Sequence, residues 1–296
     1  MKKFSKLFLL AVGAILLTFS LSACGKQSST KKASTDKLNV VATTNFYGNI
    51  AQKVLGDHGT VTSIINSPNI DPHDFTPTTA TAKKVAKANL VIENGVEYDT
   101  WINKLQARKI LSVGKVVGAK DGDNEHLWYN PDNIEKYVDA LTVQYGRLLP
   151  QDAAAFKKNA AAYKKKLNVL NQKMNQIKNE KQNANVAVSE PVFNYALQKM
   201  GFKVTDNHFA LAIEEGSDPS YTDIRDLQNS IKEHKIAFFV LNKQDDSKIV
   251  DNIADLCRKE NVPILEVTET MPKDGNYIEW FSNELDQLAK IVQAKR

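Results

Sequence analysis

Cysteine is scarce in this sequence, and its scarcity limits both disulfide and thiolate chemistry. Of the two cysteines, Cys24 lies in a lipid-attachment motif described below, which leaves Cys257 without an intramolecular disulfide partner. Cys257 falls in an apolar helical pattern with Ile253 and Leu256, a pattern that predicts a small buried residue. A metal site built from thiolates is therefore not expected.

Glycine-rich nucleotide motifs are also lacking. The 13 glycines form neither the GxGxxG nor the GxxxxGK pattern, both of which hold nucleotide phosphates. The sequence shows no pairing of a nucleophile with a base either, and we expect the protein not to be an enzyme.

The folded part of the chain has little net charge. The formal charge is +5, but residues 1–23 and residues 24–37 each contribute +3, which leaves −1 for residues 38–296. A nearly neutral body gives no electrostatic argument for a phosphate backbone as partner, so nucleic-acid binding is not predicted.

The amino-terminal segment is typical of an exported lipoprotein. Residues 1–23 have a lysine-rich head and an apolar core, as bacterial signal peptides do, and Leu21-Ser22-Ala23-Cys24 resembles the lipobox in which the cysteine is acylated. Residues 24–37 have no large apolar side chain and are predicted to form a flexible tether. We expect a lipid anchor at Cys24 and a location on the extracytoplasmic face of the cell membrane; an ordinary secreted protein is the alternative.

From residue 38 onward, strand-like and helix-like segments alternate. Apolar β-branched runs at 38–43, 61–65 and 90–94 are separated by helical patterns, and the same alternation returns from residue 185 to the end. Such alternation predicts parallel sheets covered by helices. We therefore predict an α/β fold of two lobes, each a mostly parallel sheet flanked by helices.

A long amphipathic pattern interrupts this alternation between 151 and about 181. The apolar residues recur with a period of 3.5, while a run of lysines falls off the stripe and is predicted to face solvent. The stripe consists of Phe156, Ala160, Tyr163, Leu167, Leu170, Met174 and Ile177. We interpret it as a helix linking an amino-terminal lobe (38–130) to a carboxy-terminal lobe (184–296), with helices over 131–183. A long core helix of a single domain is the alternative.

Two histidines occupy similar loops. Pro72 and Pro77 stiffen the loop that holds His73, and Pro131 follows His126 before a predicted helix. Stiff loops can hold a metal ligand in place, although prolines also occur beside histidines in ordinary turns that bind nothing.

Two predicted strands of the second lobe end in a glutamate. Glu190 ends the strand at 185–190, and Glu269 ends the strand at 263–269. The carboxyl ends of parallel strands border the ligand crevice of open sheets, so both are expected to face it. Either glutamate could instead lie at a helix start, where an acid is favoured.

The segments around these four residues carry a family resemblance. They are, in order, DPHDFTPT (71–78), LVIENG (90–95), HLWYNP (126–131), SEPVFNYALQKMG (189–201) and VPILEVTET (262–270). Together with the lipobox, this series resembles the manganese- and zinc-binding lipoprotein family of solute-binding proteins that supply ABC importers. The resemblance covers essentially the whole mature chain.

The resemblance implies two α/β lobes bridged by a long helix, with a metal ion in the cleft between them. It implies four metal ligands: His73 and His126 from the first lobe, and Glu190 and Glu269 from the second. The register at Glu269 is the weakest match, and Asp274 is the alternative fourth ligand. Asn45, Asp71, Trp128 and His208 are candidates for orienting the imidazoles or excluding water.

Two imidazoles and two carboxylates suit Mn²⁺ or Zn²⁺. Glu190 in the third position and the absence of a histidine-rich loop favour Mn²⁺. The sequence thus predicts a monomeric receptor that captures the ion and delivers it to the transmembrane subunits of an ABC permease. A metal-dependent hydrolase using the same ligands, or a surface adhesin, is the alternative.

Overall fold

The computed structural model of the chain describes residues 37–70, 72–73, 75–180 and 185–294. The predicted signal peptide (1–23), Cys24, the tether up to residue 36, and Asp71 lie outside the described residues. Among the residues described, no helix combines the length and the apolar character needed to cross a membrane.

Eight strands form two parallel sheets in the described part of the chain. They are β1 (Leu38–Thr44), β2 (Gly59–Ile65), β3 (Leu90–Glu93), β4 (Ile110–Ser112), β5 (Asn185–Val188), β6 (Lys203–Val204), β7 (Phe239–Asn242) and β8 (Ile264–Val267). The first sheet has the order β2-β1-β3-β4 and the second β6-β5-β7-β8, and every neighbouring pair is parallel. The two halves of the chain therefore repeat one topology.

Helices supply the crossover connections that parallel strands require. The α-helices within the described residues are α1 (Asn45–Leu55), α2 (Thr79–Lys87), α3 (Val113–Val117), α4 (Pro131–Leu148), α5 (Ala153–Glu180), α6 (Asn194–Lys199), α7 (Asn207–Glu214), α8 (Tyr221–Lys232), α9 (Lys248–Lys259) and α10 (Tyr277–Gln293). Single 3₁₀ turns lie at Gly56–His58, Thr100–Lys104, Leu127–Tyr129, Pro150–Asp152 and Pro191–Phe193.

The prediction of two parallel-sheet lobes linked by a long helix is confirmed. Helix α5 has 28 residues and so spans about 42 Å. Its buried residues are the seven of the predicted stripe, and they belong to one apolar core that also contains Val40 of the first sheet and Val188 of the second. The helix thus packs into both halves.

The local structure differs from the sequence pattern in three places. The apolar pattern of residues 110–117 predicts a strand, but they form a short strand followed by α3, and the pattern of residues 98–105 predicts a helix, but they contain a 3₁₀ turn. Helix α7 was not predicted at all. Each of these segments is eight residues or shorter, which is too short for hydrophobic periodicity to distinguish a helix from a strand. Tertiary contacts decide their backbone conformation instead, such as the hydrogen bond from the Gly114 N–H to the Asn94 carbonyl.

Both histidine loops end in capped helices. The Thr78 hydroxyl accepts from the Thr81 N–H, and the Thr81 hydroxyl accepts from the Thr78 N–H, so a capping box begins α2. The Asn130 side chain accepts from the Asp132 N–H, and Pro131 occupies the first turn of α4. These caps fix where each loop re-enters regular structure.

Buried tyrosine hydroxyls tie the two halves together. Tyr129 donates to the Thr268 carbonyl at 2.6 Å, and Tyr277 donates to the Trp128 carbonyl at 2.6 Å. Each bond joins the loop after His126 to the segment after β8 and so holds the two sides of the cleft in a fixed relative position.

The stripe of α5 gives the first testable prediction. Leu167 is fully buried, so Leu167→Ala should lower the free energy of unfolding by about 2–5 kcal/mol, because it removes apolar contacts and leaves a cavity. Lys166→Ala, on the exposed face of the same helix, is the matched control and should change stability by less than about 0.5 kcal/mol. Urea unfolding followed by circular dichroism measures both; equal effects would contradict the packing of this helix.

Candidate metal centre

A cavity of about 1070 Å³ lies between the two halves. Its walls come from segments that follow strands of both sheets: Pro68, Asn69 and His73 after β2, Glu190 after β5, Lys243 and Gln244 after β7, and Thr268 and Glu269 after β8. Three of the four predicted site residues therefore line one cavity, and the fourth, His126, is buried beside it.

His73 directs its Nε2 atom at a group of carboxylates. This nitrogen lies 3.6 Å from Glu214 Oε1, 3.8 Å from Glu269 Oε1 and 4.0 Å from Glu125 Oε1. The imidazole packs edge-on against the Tyr98 ring, with 5.2 Å between centroids. About a third of the His73 side chain is exposed, so His73 lies on a side of the site that solvent can reach.

His126 is fully buried, and its tautomer is determined by Asn124. The Asn124 Nδ2 donates to the Pro191 carbonyl, so its Oδ1 is free to accept from the His126 backbone N–H at 2.8 Å and from Nδ1 at 3.0 Å. With the ring proton on Nδ1, the Nε2 lone pair faces the cavity. Burial, followed by the charge of His73, holds the pKa of His126 well below its usual value, which keeps the ring in the neutral form that binds metals.

The two imidazoles converge on one carboxylate oxygen. His126 Nε2 lies 3.4 Å from Glu214 Oε1, the same atom that lies 3.6 Å from His73 Nε2. Ligand atoms placed ~2.1 Å from a shared tetrahedral ion are roughly 3.4 Å apart, so these distances fit a common ion. His126 Nε2 and Glu214 Oε1 are buried and have no hydrogen-bond partner among the described residues, and two facing acceptors of this kind suit a cation between them.

The two predicted glutamates are held by side chains from elsewhere in the chain. Glu269 Oε1 accepts from the Tyr98 hydroxyl at 2.7 Å, and Glu190 Oε2 accepts from Asn242 Nδ2 at 2.6 Å. Glu190 makes no side-chain capping bond to the 3₁₀ turn that follows it, and both carboxylates line the cavity. Glu190 therefore both precedes the 3₁₀ turn and lines the crevice.

The site also contains two glutamates that the sequence interpretation did not select. Glu214 ends α7, and Glu125 precedes His126; with His73 they offer ligand atoms within 4.8 Å of one another. Glu214 was missed because α7 was missed. One signal was available: Glu214 and Glu215 precede Gly216 at a helix end, where the helix dipole disfavours negative charge.

Electrostatics in the cavity disfavour so many carboxylates without a counter-charge. Burial is the largest cause that raises the pKa of Glu214 far above its usual range, and the neighbouring charges of Glu269, Glu125 and Glu190 raise it further. Like charges in a site of low dielectric repel one another, and a divalent cation would relieve that repulsion.

The remaining predicted residues have different positions. Trp128 packs against the His126 ring at 5.1 Å, as expected for a group that excludes water. Asn45 instead donates to the Met271 carbonyl at 2.6 Å and so joins the two halves. His208 is 90% exposed and lies near Asp223, away from the metal cavity. Asp274 is exposed and does not line the cavity.

The two-lobed fold and the shared cavity define a binding protein whose site lies between two parallel sheets. The structure resembles the periplasmic zinc-binding protein TroA from Treponema pallidum, with a TM-score of 0.73 and 18% identity over 86% of this chain and 99% of that one. It also resembles FpvC from Pseudomonas aeruginosa in complex with Mn²⁺, with a TM-score of 0.72 and 19% identity over 88% and 100% of the two chains.

Sequence comparison identifies the family. Residues 40–291 match the model of the zinc-uptake complex component A, periplasmic (ZnuA), and the chain therefore belongs to this family. The manganese-binding lipoprotein MntA of Bacillus subtilis is 24% identical over 96% of this chain and 99% of its own length. The high-affinity zinc uptake system protein ZnuA of the same species is 23% identical over 99% of each. The predicted resemblance is confirmed.

The bond between Tyr98 and Glu269 gives the second prediction. Tyr98→Phe keeps the ring but removes the donor that orients the Glu269 carboxylate. If Glu269 binds the metal, Mn²⁺ and Zn²⁺ affinity should fall by about 10–100-fold, as measured by calorimetric titration. Tyr221→Phe, at a tyrosine that is 78% exposed, should leave affinity unchanged. Equal affinity in both variants would show that this hydroxyl does not support the site.

Proposed function

We propose that this protein is the extracytoplasmic metal receptor of an ABC importer. It captures a divalent transition metal, Mn²⁺ or Zn²⁺, in the cavity between its two halves and delivers the ion to the permease. His73 and His126 bind from the first half, and Glu190 and Glu269 bind from the second. Membership of a metal-uptake family supports this role.

One observation carries the proposal. The Nε2 atoms of His73 and His126 lie 3.6 and 3.4 Å from a single carboxylate oxygen that comes from the other half of the molecule. Neutral imidazoles and carboxylates at this spacing are the donor set of Mn²⁺ and Zn²⁺ sites. A site for an apolar ligand would not require these donors to meet at one point.

We further propose that the mature protein is a monomer attached to the extracytoplasmic face of the cell membrane through acylated Cys24. The lipobox at residues 21–24, the polar tether at 24–37 and the similarity to the manganese-binding lipoprotein MntA of Bacillus subtilis support this location. The transmembrane subunits of the permease are the proposed partners. The proposed segments are the signal peptide (1–23), the first lobe (38–130), the linking helices (131–183) and the second lobe (184–296).

Transport accounts for the site better than hydrolysis does. A hydrolytic metal site keeps a coordination position open for water, whereas a transport site can surround the ion with protein ligands. Here three carboxylates from separate segments of the chain lie within 4.0 Å of His73 Nε2. They belong to Glu125, Glu214 and Glu269. An enzymatic role is therefore not proposed.

Metal titration of histidine variants tests the function. We expect residues 25–296, which retain every residue described here, to bind one equivalent of Mn²⁺ or Zn²⁺ in a calorimeter. His73→Ala and His126→Ala should each lower affinity by more than roughly 100-fold, because losing a ligand should cost more than losing a group that only orients one.

His208→Ala is the matched control, since His208 is a surface histidine of the second half. It should bind metal as tightly as the parent chain. Metal-free melting curves and circular dichroism establish that each variant folds. Unchanged affinity in the two cavity variants, or no binding by the parent chain, would refute the proposed function.

A further inference from the structure

Glu214 is placed between the two histidines although it belongs to the other half of the chain. It ends α7, and its side chain is 8% exposed. Its Oε1 atom lies 3.4 Å from His126 Nε2 and 3.6 Å from His73 Nε2, closer to His73 than the corresponding oxygen of Glu269 at 3.8 Å. By its distance to His73, Glu214 is at least as well placed as Glu269 to share an ion with this imidazole.

The position of Glu214 is unfavourable unless a cation is present. A carboxylate at a helix carboxyl terminus faces the negative end of the helix dipole, and Glu214 is also buried beside other glutamates. A buried carboxyl group is unfavourable where it lacks hydrogen-bond donors, and the side chain that hydrogen-bonds to Glu214 is Glu125, itself a carboxyl group. A fold that kept Glu214 for packing alone would be expected to give its Oε1 atom a donor.

Asp206, at the other end of the same helix, is a carboxylate that does have a hydrogen-bond donor. Asp206 precedes the first residue of α7, and both of its oxygens accept from the Val188 N–H, at 3.2 and 3.1 Å. Asp206 therefore holds the helix against the second sheet. Glu214 Oε1, in contrast, is buried with no hydrogen-bond partner among the residues described and faces the equally unpartnered His126 Nε2. The two ends of α7 thus have different roles.

We propose that Glu214 is an additional metal ligand, and that its carboxylate raises the affinity of the site for Mn²⁺ more than it raises the affinity for Zn²⁺. This inference rests on the proposed function and deepens it. Zn²⁺ is satisfied by four donors in a tetrahedron, whereas oxygen-rich octahedral sets suit Mn²⁺. A third carboxylate beside Glu190 and Glu269 raises the number of donors above four and adds oxygen, so its contribution should be larger for Mn²⁺.

The experiment compares Glu214→Gln with Glu215→Gln. Glu215 is the next residue, is exposed and borders the same cavity, so its substitution removes the same charge without touching the imidazoles. Mn²⁺ and Zn²⁺ are titrated separately into residues 25–296 of the parent chain and of each variant. We expect Glu214→Gln to lower Mn²⁺ affinity by about 100-fold and Zn²⁺ affinity by less than about tenfold, and Glu215→Gln to change neither by more than about twofold.

A second measurement separates a ligand from a structural residue. X-ray absorption of the Mn²⁺ complex should show one oxygen donor fewer in Glu214→Gln than in the parent chain. The metal-free melting temperature should be close to that of the parent chain, because a glutamine amide has nearly the same size and shape as the glutamate carboxyl group. Glu214→Ala provides the same comparison without the amide.

The inference is overturned if Glu214→Gln binds Mn²⁺ as the parent does, or if Mn²⁺ and Zn²⁺ affinities fall by the same factor. An unchanged number of oxygen donors, or a lower metal-free melting temperature with unchanged affinity, overturns it as well. In each of these cases the histidine variants would still lose binding if the proposed function is right. Failure of the parent chain to bind either ion would instead refute the function itself.

Discussion

Repulsion among buried carboxylates is the constraint on which the rest of this structure depends. Glu190, Glu214 and Glu269 line one cavity, and Glu125 Oε1 lies 4.0 Å from the Nε2 atom of His73, which lines the same cavity. Their mutual repulsion and the loss of solvent make this group of carboxyl groups unfavourable without a counter-charge. A divalent cation bound by the two imidazoles would offset these costs, and so the cavity is suited to an ion and poorly suited to an apolar or anionic ligand.

The fold brings these groups together by repeating one topology twice. Each half has a parallel sheet of the same strand order, and the segments that follow β2, β5 and β8 supply His73, Glu190 and Glu269. Helix α5 and the hydroxyls of Tyr129 and Tyr277 join the halves through buried contacts. Because imidazoles come from one half and carboxylates mainly from the other, the affinity of the site depends on the spacing between the halves.

Groups that do not touch the ion determine the chemical state of those that would. The Asn124 side-chain oxygen accepts a hydrogen bond from Nδ1–H of His126, which leaves Nε2 available, while Trp128 packs against the ring and shields it from water. Tyr98 and Asn242 each donate to one carboxylate and orient it. Asn124 and Trp128 are each two residues from His126, whereas Asn242 lies 52 residues from Glu190 and Tyr98 lies 171 residues from Glu269. No local pattern in the sequence indicates the two distant donors.

The sequence by itself determined the class of fold, the stripe of α5 and four candidate ligands, because strand and helix periodicity and the proline-flanked histidine loops are local signals. Assignment of those four residues to a metal site came from the family resemblance, and the family is confirmed. Only the tertiary structure decided that Glu214 and Glu125 join them and that His208 and Asp274 lie outside the cavity. The physical reason is that α7 is eight residues long, too short to be recognised by period, and that side chains meet in the cavity through the packing of two sheets rather than through spacing along the chain.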